Sequence, residues 1–171
     1  MTKDIEVIRE KVNFLGTMIG APLEKLSLPD KPAGNGGHHI EMDDTKYHLV
    51  SSERGVELNR KTTGELDELL YWILSGVASE LGYEYEKRNR NHEQDSRRTA
   101  FNKSIQLLKV LSETWATKRA KELESILESN PYDDDINKRV EYSKYLVSTG
   151  YAADESYRLA CEKYPLPERG K

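Results

Sequence analysis

Residues 38–74 read HHIEMDDTKYHLVSSERGVELNRKTTGELDELLYWIL, and the fold turns on a change of rhythm inside this stretch. His38–Met42 and Tyr47–Ser51 flank Asp43-Asp44-Thr45-Lys46, a polar reversal between two short runs of strand-forming residues. With Asp43-Asp44 as the central turn residues, Ile40 faces Tyr47, Glu41 faces Lys46 and His39 faces His48. The opposition of Glu41 to Lys46 favours this register. Gly55 permits a second reversal, and Val56 and Leu58 alternate as a third strand requires. After Lys61 the period becomes helical. The hydroxyls of Thr62 and Thr63 are expected to cap a helix whose first turn carries Glu65, Asp67 and Glu68. Its apolar stripe is Leu66, Leu69, Leu70, Ile73, Leu74, Val77 and Leu81, running to about Arg90, with Gly76 and Gly82 as local weak points.

Outward from this stretch the chain is helical. Ile5, Ile8, Val12, Leu15 and Ile19 mark one face of an opening helix, stopped by Gly20 and Pro22. Residues 27–37, SLPDKPAGNGG, read as loop. Asp95 or Ser96 is placed to cap a helix with the stripe Phe101, Ile105, Leu108 and Leu111. Ser112 and Glu113 lead into another, carrying Trp115, Leu123, Ile126 and Leu127 and ended by Asn130-Pro131. Two more helices follow. One opens at Asp133-Asp134-Asp135 and ends at Gly150, and the last starts at Asp154 and closes at Pro165 and Pro167. The expectation is an α+β fold, with a three-stranded antiparallel meander packed on a mainly helical body. Residues 1–131 form that domain, and residues 132–171 add a Tyr-rich helical hairpin packed on the same body.

Composition narrows the function classes. The 171 residues hold 26 Lys+Arg and 30 Asp+Glu, a net charge of −4, which removes the basic field that unassisted nucleic-acid binding needs. No apolar run is long enough to span a bilayer or serve as an export signal in the charged opening MTKDIEVIRE, so a cytoplasmic protein with no membrane partner is expected. The single cysteine, Cys161, cannot form an internal disulfide and has no His near it in sequence.

No constellation of side chains makes a catalytic site, and no cofactor is expected. His39 and His48 are close enough in the expected register to share a zinc ion. Even with His38 nearby they fall short of a ligand set, and Glu41 as a third ligand is not indicated. Gly34-Asn35-Gly36-Gly37 lacks the Lys-Ser/Thr of a phosphate loop and precedes a strand rather than a helix. Charge distribution is more informative. Residues 64–95 hold eight acids against three bases, whereas residues 96–129 hold seven bases against four acids. Two readings follow: neighbouring helices pair these charges internally, or an acidic face meets a basic partner. Arg97 and Arg98 sit in the first turn of a helix, where the dipole disfavours cations, and are expected to pair with Asp95, Glu80 and Glu84. Tyr83-Glu84-Tyr85-Glu86 interleaves rings with carboxylates where the apolar stripe ends. Tyr85 either continues the core face, with Tyr83 covering a neighbouring helix, or these rings belong to an interface.

Two stretches, residues 36–74 and 83–127, together resemble the immunity protein 63 family of bacterial polymorphic-toxin systems. The likeness runs from about Val7 to Tyr132. It is carried by His39-Ile40-Glu41, Tyr47-His48, Glu53-Arg54-Gly55, Asp67–Trp72, Gln94-Asp95, Arg97-Arg98 and Phe101. The resemblance implies a protein that is not an enzyme and that neutralises a cognate toxin by binding its C-terminal effector domain. The family does not specify the toxin's chemistry; the acidic face would suit a nuclease, whose cationic cleft a carboxylate-rich inhibitor can occupy. The expected toxin-facing residues are Glu80, Tyr83, Glu84, Glu86, Glu93 and Asp95. The alternatives are a helical adaptor or regulator for another cellular protein and, from a different class, a small metal enzyme built on the histidines.

Overall fold

The computed structural model describes residues 5–168; Lys3 and Asp4 of the charged opening and the last three residues of the C-terminal extension lie outside it. The chain order is α1 (Ile5–Met18), a 3-10 turn (Leu23–Leu26), β1 (Asn35–Met42), β2 (Tyr47–Glu53), β3 (Val56–Thr63), α2 (Leu66–Arg88), α3 (Ser96–Leu111), α4 (Glu113–Ser129), α5 (Ile136–Ser148) and α6 (Ala153–Lys163). The α+β expectation holds, as a three-stranded antiparallel sheet in the order β1-β2-β3 on a helical body.

The hairpin register differs from the expected one. His39 pairs with Val50, Ile40 with Leu49, Glu41 with His48 and Met42 with Tyr47. The central turn residues are therefore Asp44-Thr45, one step later than Asp43-Asp44. The reason is the Asp43 side chain, whose Oδ1 accepts from the Thr45 amide at 2.8 Å and the Lys46 amide at 2.7 Å. A carboxylate can fold over the next amides in this way only from the first position of the turn. Each partner moves by two residues, so every side chain keeps its face. Ile40 and Leu49, with Met42 and Tyr47 beside them, still meet the helices. On the third strand Val56 and Leu58 are both exposed, and the ladder shifts between Ser51 and Ser52, which leaves Leu58 unpaired at a bulge.

The core lies between the sheet, α1 and α2–α4. Leu69, Tyr71, Leu74 and Ala78 of α2 are buried at its centre, with Ile8 and Val12 of α1 and Leu108 of α3. Trp115 of α4 stands edge-on to Tyr71 and donates its indole N–H to Asp67 at 3.1 Å. Gly82 brings α2 against the backbone of α3 at Ala100. The threonine caps expected for α2 are absent. Thr63 ends β3, its hydroxyl accepts from the Glu65 amide, and Glu65 itself stands at the cap without a side-chain bond. Asp95 and Ser112 do cap α3 and α4. The hairpin of α5 and α6 buries Leu146, Ser156 and Ala160 between its helices, and Asp154 lies in the first turn of α6 with Ala152 at the cap.

Candidate partner-binding face

The six expected partner-facing residues fall into two groups. Glu80, Tyr83 and Glu84 share one stripe of α2, at helical spacings of three and four. Lys25 of the 3-10 turn reaches both acids, at 3.0 Å to Glu80 and 2.9 Å to Glu84. This contact holds the Glu84 carboxyl below its usual range and raises the Lys25 ammonium, Glu84 acting on it first and Glu80 second. Tyr83 is 39% exposed and stands edge-on to Phe101 of α3 at 6.5 Å. Tyr85 does not continue the core face; it is half exposed beneath the ammonium of Lys103. Glu93, on the loop after α2, is widely exposed, with Lys138 of α5 at 3.9 Å.

Glu86 and Asp95 differ from the other four. The Glu86 residue is 2% exposed and both its oxygens accept from Arg90 at 2.9 Å, so it is no rim acid. Asp95 is buried as well. It accepts from the Arg97 amide at 2.8 Å, the Arg97 guanidinium at 2.6 Å and the Asp133 amide at 2.8 Å. Burial pushes its carboxyl up, but these donors outweigh burial and hold it below the usual carboxylate range.

Arg97 pairs with Asp95 as expected, and it also donates to the carbonyls of Asn130 and Pro131 beyond the C-terminal end of α4, where a cation is favoured. Arg98 does not reach Glu80 or Glu84. It pairs with Asp134 at 2.7 and 2.8 Å and lies 4.2 Å over the Tyr132 ring. The Asp134 Oδ1 also accepts from the Asp95 amide at 2.9 Å, and its carboxyl is held at about 2, chiefly by Arg98. Arg139, buried in α5, binds Asp133 and the carbonyls of Tyr164 and Pro165. The bonds of Asp95 and Arg98 to Asp133 and Asp134 latch the C-terminal hairpin onto the body, and Arg139 closes the hairpin on its own C-terminal end. Sequence reasoning missed the latch because its halves are 36 residues apart. The run Asp133-Asp134-Asp135 was the available signal.

Between the body and the hairpin opens a cleft of about 550 Å³, with Tyr83, Glu86, Arg90, Asp95, Ile136 and Leu166 on its walls. Its carboxylates are already paired, so it offers shape and amide groups rather than free charge. The histidines are engaged separately. His39 lies 3.2 Å from Glu41, whereas His48 contacts Thr62 and Asp43 at 2.9 and 3.1 Å. Among the described residues no three His, Cys, Asp or Glu side chains are grouped to hold a metal ion.

Residues 43–125 match the immunity protein 63 family model. No curated protein and no solved structure matches the chain. The matched segment spans β2, β3, α2, α3 and most of α4, a narrower stretch than Val7 to Tyr132. All six candidate residues lie inside it, while Tyr132 and Asp134, which receive Arg98, lie outside. No helix among the described residues is long and apolar enough to cross a membrane.

Proposed function

We propose that the protein is an immunity protein that neutralises a cognate bacterial toxin by stoichiometric binding to its C-terminal effector domain, without catalysis and without a cofactor, in the cytoplasm. The match to immunity protein 63 carries this reading. The surface fits it: Glu80, Glu84 and Glu93 are accessible carboxylates and Tyr83 is a half-exposed ring among them. Such acids steer a basic enzyme, a nuclease for example, and set the association rate, while a ring that becomes buried supplies much of the affinity. Within this proposal Glu86 and Asp95 support the face from beneath. The body of residues 1–131 is the immunity-protein-like domain, and residues 132–171 are an extension latched to it.

The test is co-expression with the product of the adjacent toxin gene, followed by co-purification and binding kinetics. Reversal of Glu80 and Glu84 to Lys should slow association by about tenfold at low salt and flatten its salt dependence. Unchanged kinetics would move the interface elsewhere, with the hairpin next in line because Tyr145, Tyr151 and Tyr157 are exposed there. Absence of any complex would favour the adaptor reading.

A further inference from the structure

Another cleft, of about 460 Å³, has Glu80 on its wall and is lined by the 3-10 turn, the sheet, α2 and Arg119 of α4. Its walls carry Lys25, Lys61 and Arg119 against a single carboxylate, Glu80, with His38 and Trp72 beside them. In a chain of net charge −4 this is a local reversal of sign. The cations are not equally committed. Lys25 is occupied by Glu80 and Glu84. Arg119 binds Ser79 at 2.8 Å and Glu122 at 3.1 Å, yet its Nε–H is buried with no partner. Lys61 stands 5.6 Å from the centroid of the Trp72 ring, and neither it nor His38 has an acidic partner among the described residues. A cation parked over an aromatic face keeps most of its charge available to an incoming anion.

We propose that this cleft receives an acidic side chain of the toxin domain, an Asp or Glu carboxylate seated beside Lys61, while the neighbouring stripe of Glu80 and Glu84 faces that domain's cations. The inference rests on the toxin-binding reading and adds what the toxin must present. Three observations favour a side chain carboxylate over a free polyanion. The cleft is continuous with the acidic stripe through Glu80, which lines both. The Glu80 carboxylate at its edge repels a multiply charged anion more than a singly charged one. Lys61, Trp72 and Arg119 all lie in the immunity protein 63 segment, as does the stripe. Two signs side by side also fix orientation, because a partner displaced along the surface would set like charges against each other.

The experiment uses the full chain and the toxin domain from the adjacent gene. K61E and K61Q are compared with E84K, after thermal melting has shown each to be folded. K61E is expected to weaken binding by about tenfold and K61Q by less. An Asp/Glu scan of the toxin is expected to find one carboxylate whose removal is not additive with K61Q. Changing that residue to Lys should restore binding to K61E. Wild-type affinity in K61E alongside weakened E84K overturns the inference and leaves the toxin reading intact. Absence of a wild-type complex overturns both. Saturable binding of inorganic phosphate that K61E abolishes, with toxin affinity unaffected, would assign the cleft to a small anion and also overturn it.

Discussion

Replacing Gly76 and Gly82 of α2 with Ala, one at a time, should change stability in opposite directions. In an exposed helix interior Gly is about 1 kcal/mol less favourable than Ala, so propensity alone makes both changes stabilising. A Cβ at Gly76 meets nothing within 4 Å. Gly76→Ala should therefore add ~0.5–1 kcal/mol, raising Tm by ~1–4 °C in a chain of this size. At Gly82 the same methyl group would overlap the carbonyl oxygen of Ala100 and come within 3.3 Å of its carbon and 3.4 Å of the Ser104 amide nitrogen. These atoms are α3 backbone and cannot turn away as a side chain end could, so the two helices must part. Overpacking of this kind costs ~1–3 kcal/mol, and a rigid neighbour places it at the upper end. Less the helix-propensity gain, Gly82→Ala should lose ~1–2 kcal/mol, a fall in Tm of ~2–8 °C. The two sites are six residues apart, ~9 Å along the helix, so the double variant should be close to the sum. Urea and thermal denaturation of the four proteins decide the matter. A Gly82→Ala protein as stable as Gly76→Ala would refute the close approach of α2 to α3.

Further outcomes follow from the same structure. Glu86→Gln removes charge from a buried carboxylate bound twice by Arg90. It should lose ~1–2 kcal/mol in urea denaturation and leave the rate of association with the proposed toxin partner unchanged, whereas Glu84→Gln should slow association with little loss of stability. Asp134 titrates at about 2 in the folded chain against an ordinary 3.8, so it contributes stability above the unfolded value that is lost as pH falls from about 4 towards 2. Asp134→Asn should flatten the pH dependence of Tm in that window. Arg98→Ala should speed hydrogen exchange in residues 136–163 and leave α2 protected, because Arg98 ties the hairpin to α3. Zinc titration should leave Tm unchanged; a saturable rise lost in His39→Ala or His48→Ala would reveal a metal site.

Periodicity and capping made the fold class legible, because each acts within a turn or two of chain. The switch near Thr62 separates meander from bundle, and Asp95 and Ser112 bond amides two or three residues ahead, as local spacing requires. The hairpin register was nearly legible: Asp43 was part of the turn, but only the geometry of its carboxylate moved the central pair to Asp44-Thr45. The electrostatics were not legible to the same depth. Glu84 and Glu86 are two positions apart on one helix, yet one meets Lys25 at the surface and the other is buried on Arg90. Gly76 and Gly82 read alike, and only the approach of α3 separates them. Arg98 finds Asp134 across 36 residues, and Lys25 finds Glu80 across 55. By itself the sequence determined where strands and helices form, because those preferences are written in adjacent residues. Which charges are spent on the fold and which remain for a partner was decided by tertiary structure alone, since it depends on which surfaces chain packing brings within a few ångströms.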